Sequence, residues 1–74
     1  MENFKTFQTK LNELRKEKKL SYMKLGKQIK VSQMAIMRWE HGENEPTLTN
    51  ICQLCDYFEV TPNYLLGYTD NPNG

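Results

Sequence analysis

The sequence predicts an all-α domain, and three observations carry that prediction. Apolar residues recur at spacings of three and four, Ser or Thr stands where four of the apolar runs begin, and no segment alternates apolar and polar residues as a half-buried strand does. The first helix follows from Phe7, Leu11 and Leu14 with Lys10, Glu13, Arg15 and Lys16 between them, and Phe4 extends its stripe upstream. Ser21 caps a second helix that carries Leu25 and Ile29 inward; it is short, because Lys30-Val31-Ser32 supplies a connection and a new cap at Ser32. The third helix runs from Gln33 to about His41 with Ala35, Ile36 and Trp39 on its inner side, and Gly42 stops it. Thr47 caps a fourth helix through Ile51, Leu54, Cys55 and Phe58. Thr61-Pro62 opens a fifth over NYLL that ends at Gly67. The turn-rich tail YTDNPNG is expected to fray. Helices this short need a shared core, expected on Leu11, Leu14, Leu25, Ile29, Val31, Ile36, Trp39, Ile51, Leu54, Phe58 and Leu65.

With 74 residues, 38% hydrophobic and 26% charged, the chain is expected to be one domain, residues 1–74, with its folded core at about 7–67. It lacks the apolar run of a membrane span and the apolar stretch of a secretory leader, so a cytoplasmic protein with no membrane partner is expected. Cys52 and Cys55 with the single His41 are too few ligands for a structural zinc site, and Cys55 reads as a small core residue; no metal or cofactor is expected. Nor is there a Ser/His/Asp set, a phosphate-cradling glycine loop or a carboxylate pair in an evident cleft, and an enzyme is not expected. The net charge of +1 conceals a strong polarity. Residues 1–38 carry all ten Lys and Arg against three acids, a net +7, whereas residues 39–74 carry six acids and no Lys or Arg, a net −6. Such a chain suits a polyanion on one side.

The stretch SYMKLGKQIKVSQMAIMRWEHG, residues 21–42, holds two short helices joined by a tight connection. That is the arrangement of a helix-turn-helix, in which the first helix braces a second whose N-terminal residues enter the major groove. Gln33, Met34, Met37 and Arg38 then fall on the side away from Ile36 and Trp39 and are the candidate base readers. Ser32 caps the second helix at the end whose free N–H groups and dipole favour a phosphate.

Here the sequence resembles the lambda-repressor-like, Xre/Cro-type helix-turn-helix regulators. The resemblance covers about residues 7–67 and rests on LNELRKEKKLS at 11–21, on Leu25, Ile29, Val31 and Ser32, on AIMRWEHG at 35–42, on the loop proline with TL at 46–48, and on VTPNYLLG at 60–67. It implies a compact five-helix domain with the helix-turn-helix in helices 2 and 3, which binds two-fold operator DNA as a dimer and most often represses transcription. It also implies that Gln33 and Met34 read bases, with Met37 and Arg38 one turn later, that Ser21 meets phosphate, and that Arg15 and Glu40 form an ion pair tying helix 1 to the end of helix 3.

Departures from the family pattern refine the expectation. Tyr22 stands where Gln is frequent, and its hydroxyl is expected to reach a phosphate. Lys30 replaces a turn glycine and adds charge beside the expected backbone track, with His41 also placed among the phosphate contacts. Gly26 replaces a frequent Ala. Met34 cannot make an amide's paired bonds to adenine, which leaves a thymine methyl as its base partner. An apolar patch facing a protein is the alternative reading of Met34 and Met37, and Glu43 and Glu45 set negative charge in a loop where relatives approach phosphate. Tyr57, Tyr64, Leu66 and Tyr68 are candidates for a dimer surface, giving a weak homodimer stabilised on DNA. The alternative function is a protein-interaction module, an antitoxin or anti-repressor that keeps the fold.

Overall fold

The structure is a computed structural model that describes residues 2–74. Five helices follow one another: α1 (Glu2–Glu17), α2 (Tyr22–Ile29), α3 (Gln33–Glu40), α4 (Leu48–Phe58) and α5 (Pro62–Leu65), with no strand among the described residues. The all-α, five-helix expectation holds, and the local chemistry explains the boundaries. The side chains of Ser21, Ser32, Thr47 and Thr61 each accept the N–H three residues on, from Lys24, Ala35, Asn50 and Tyr64. Each satisfies one of the donors that a helix start leaves without an internal partner. Thr47 and Asn50 complete a reciprocal capping box.

Helix ends are less conventional. Gly42 and Gly67 turn the chain at φ +78° and +88°, but α1, α2 and α4 are each followed by a non-glycine residue in the left-handed region, namely Lys19, Lys30 and Glu59. Lys30 adopts φ 60°, ψ 43°, and its N–H closes on the carbonyl of Gly26. The turn therefore accepts the strain that glycine would avoid.

Among helix pairs, α2 and α3 pack most extensively on each other; α1 lies against α3 and α5, and α4 against α2 and α5. Phe7, Leu11, Leu25, Ile36, Leu54 and Leu65 are fully enclosed, and Ile29, Trp39, Ile51, Cys55 and Phe58 complete the core. Two expected core residues sit at its margin. Leu14 and Val31 are only partly buried, because Phe7 and Leu11 take the middle of the α1 stripe while Leu14 falls at its edge, and Val31 lies in the connection rather than on a helix face. At the opposite edge of that stripe the buried position goes to Arg15. Burial raises the Cys55 thiol to about 11 and leaves it a packing residue, whereas Cys52 is exposed. Among the described residues no helix is long and apolar enough to cross a membrane.

The tail expected to fray is hydrogen-bonded both to the start of α1 and to the cap of α5. Asn3 Nδ2 donates to the Leu66 carbonyl at 2.6 Å, the Tyr68 hydroxyl donates to Asn3 Oδ1 at 3.3 Å, and Thr61 N–H donates to the Pro72 carbonyl at 3.0 Å.

Candidate nucleic-acid interface

The outer side of α3 is set by its period. Ile36, Trp39 and Glu40 are buried, so Gln33, Met34 and Arg38 are left exposed and Met37 half-exposed. At ~100° per residue these four occupy one face of the helix, with Gln33 and Met34 in its first turn. Met34 is 45% exposed, and Met23 of α2 is 51% exposed, which sequence reading passed over because Met23 falls between the inward positions of its helix. Large exposed apolar side chains beside a polar amide and a guanidinium match the mixture a major groove offers: ring nitrogens, exocyclic groups and thymine methyls.

Exposed positive charge lies on this helix and on the one before it. Lys24, Lys27 and Lys30 on α2 and its turn, and Arg38 on α3, are exposed. Among the described residues none of them lies within 4 Å of a carboxylate; the close acid–base pairs there are Arg15–Glu40 and His41–Glu43. Ser21 and Ser32, at the exposed starts of α2 and α3, accept from backbone N–H groups at 3.1 Å, and each hydroxyl proton remains available to a phosphate oxygen. His41 lies at the other end of α3, half-exposed, with Nδ1 3.9 Å from Glu43 Oε2. The acids of the following loop, Glu43 and Glu45, are both exposed.

Behind the face, the Glu40 carboxylate is 2% exposed and gathers donors from two other helices. Arg15 Nε donates to Oε2 at 2.6 Å and Arg15 Nη2 to Oε1 at 3.1 Å, while Nη1 holds the Leu20 carbonyl at 2.8 Å. The paired fork against a buried carboxylate raises the arginine further above its already high range, chiefly through its hydrogen bonds to Glu40. Asn12 Nδ2 adds a bond to Oε1 at 2.8 Å. Sequence reading missed Asn12, although its place one turn before Arg15 on the same side of α1 is a usable signal.

Tyr22 departs from the expected geometry. Its side chain is half-buried, its hydroxyl donates to Glu40 Oε1 at 3.3 Å, and the Arg15 guanidinium carbon lies 4.3 Å from the ring centre. Burial first, then the nearby Glu40 carboxylate, raises its phenol above the ordinary range. The hydroxyl expected at a phosphate is occupied inside the protein, because the N-terminus of α2 packs over the Arg15–Glu40 pair.

The four residues expected at a dimer surface have different neighbours. Lys18 lies 5.6 Å from the ring centre of Tyr57, which meets Phe58 edge-on, and Lys10 lies 4.4 Å from that of Tyr64. Leu66 and Tyr68, the latter 70% exposed, instead line an open groove of about 290 Å³ with Phe4, Phe7, Pro46 and Ile51. Lys18, Lys10 and Asn3 are spread over the length of α1 and each meets a different tyrosine.

A family described as helix-turn-helix matches residues 11–65. The repressor protein C2 of Salmonella phage P22 is 40% identical over 52 residues, covering 70% of this chain and 24% of that protein. The HTH-type transcriptional activator BcrR of Enterococcus faecalis is 37% identical over 60 residues, covering 81% of this chain and 29% of that protein. The chain thus spans only about a quarter of the length of these curated relatives. A crystal structure of the P22 c2 repressor in complex with a synthetic operator superposes with a TM-score of 0.75 at 34% identity, covering 80% of this chain and 89% of that one.

Proposed function

The chain belongs to the helix-turn-helix family, and from that premise we propose that it binds double-stranded operator DNA sequence-selectively and regulates transcription, by repression through promoter occupancy. One observation carries the proposal: Gln33, Met34, Met37 and Arg38 share an outward face of α3, bordered by lysines that no carboxylate neutralises among the described residues. In this reading α3 lies in the major groove. Gln33 pairs with adenine through its amide, Met34 meets a thymine methyl, and Met37 and Arg38 extend the contact by one turn. Lys30, Ser21 and Ser32 engage phosphates. His41, at the far end of α3 beside Glu43, is a peripheral phosphate contact at most. The P22 repressor structure supports the reading, being a similar fold found with operator DNA.

Two copies are proposed to act together. The domain's long axis is 28 Å, so with side chains added it is close to the ~34 Å between half-sites one turn apart, and neighbouring copies meet only at their edges. The Leu66 and Tyr68 groove is the apolar part of such an edge. A contact this small is weak in free solution and gains from DNA holding both copies. Selection of bound sequences from a random duplex library tests the proposal. Enrichment of a two-fold motif is the expected result; no enrichment, with binding equal across sequences, refutes it and favours a protein-facing role for the exposed methionines.

A further inference from the structure

We infer that Tyr22 is a positioning residue for α3: its hydroxyl on Glu40 and its ring beside Arg15 fix the end of the reading helix against the start of α2, and it makes no DNA contact. Three observations converge on this assignment. The Glu40 Oε1 atom collects Asn12, Arg15 and Tyr22, so Tyr22 is the α2 member of a cluster that joins three helices at one carboxylate. The Arg15 guanidinium lies 4.3 Å from the ring centre, which holds the aromatic plane as well as the hydroxyl. Ser21, the preceding residue, is exposed and caps α2, so the hydroxyl that faces outward at this helix start belongs to Ser21, whereas the Tyr22 ring turns inward.

The consequence is mechanical. Glu40 closes α3 and Gln33 opens it, seven residues or about 10 Å apart along the axis. A tilt of roughly 6° at the Glu40 end therefore moves Gln33 by about 1 Å, enough to break a hydrogen bond whose useful range is a few tenths of an ångström. Phosphate contacts from flexible lysines tolerate that movement and base contacts do not. Loss of the Tyr22 hydroxyl should accordingly reduce discrimination between sequences while sparing general affinity. This consequence rests on the proposed DNA reading; the contact with Glu40 does not.

The experiment uses the full chain and Tyr22→Phe, which keeps the ring and removes the hydroxyl. Affinity is measured for a library-selected duplex and for its scrambled counterpart at one salt concentration. The expected result is a loss of about three- to tenfold on the selected duplex with the scrambled one unchanged. Equal weakening of both duplexes, or no change on either, overturns the assignment. A second readout needs no DNA: carbon-13 labelling of the tyrosine ring follows the Tyr22 phenol in the free protein as pH rises. Its titration should lie above the ordinary tyrosine range and fall toward it in Glu40→Gln. A Tyr22 titration indifferent to Glu40→Gln overturns the contact itself. If the wild type selects no duplex, the DNA reading fails and this titration still decides the contact; if Glu40→Gln does not fold, the ratio of the two affinities for Tyr22→Phe decides it.

Discussion

Replacing Gly26 with alanine sets helix propensity against packing, and the structure determines which prevails. Within a helix, Ala is favoured over Gly by about 1 kcal/mol, so propensity alone predicts a more stable protein. A Cβ built on Gly26, however, lies 2.6 Å from the Val31 carbonyl oxygen and 3.4 Å from the Gln33 nitrogen. Both are backbone atoms, one in the α2–α3 connection and one at the start of α3, and cannot swing aside as a side-chain tip does. Relief requires the connection to retreat by about half an ångström, an overpacking that costs roughly 1–3 kcal/mol. The connection is also held to Gly26 itself, whose carbonyl accepts the N–H groups of Lys30 and of Val31, the latter at 3.0 Å. Weakening those bonds adds about 1 kcal/mol. Against the propensity gain, Gly26→Ala should destabilise by about 1–3 kcal/mol, or lower Tm by roughly 5–20 °C in a domain this small. Urea and thermal unfolding followed by circular dichroism measure it. A variant as stable as the wild type, or more so, refutes the reasoning and means that the connection yields freely.

Four further outcomes follow from named contacts. Arg15→Ala and Glu40→Ala should each cost roughly 3–5 kcal/mol by leaving a buried charge without its partner, and a double-mutant cycle in urea should show strong coupling; additive losses would contradict the paired geometry. Glu59→Gly should stabilise by about 1 kcal/mol, since it relieves a left-handed φ of 58° and removes a negative charge from the C-terminal end of α4; Lys19→Gly should gain less, because lysine at a helix end is electrostatically favourable. A thiol reagent at pH 8 should label Cys52 readily and Cys55 only after unfolding, because burial raises the Cys55 thiol to about 11 and its thiolate stays scarce until the pH approaches that value; mass spectrometry of the labelled peptides checks this. Gln33→Ala should relax preference at one base position per half-site at a cost of about 1–3 kcal/mol, whereas Lys30→Ala should weaken matched and scrambled duplexes alike and reduce the salt slope by about 1 per chain, as titrations over a range of salt would report.

The sequence by itself determined where four of the five helices begin and which face each buries. Caps act over three residues, so Ser21, Ser32, Thr47 and Thr61 could be read directly from the chain, and the 3.6-residue period turned Ile36 and Trp39 inward and Gln33, Met34 and Arg38 outward. The same period says which way a side chain points but nothing of what stands opposite it. Only the tertiary structure placed Tyr22 and Asn12 on Glu40, 18 and 28 residues away, and laid Lys10 and Lys18 over Tyr64 and Tyr57. It also showed why Gly26 lacks a side chain, since the space for a Cβ is taken by the backbone of Val31. Each of these depends on how helices with little stability alone are stacked against one another, and that stacking is set by the filling of a common core rather than by any local signal.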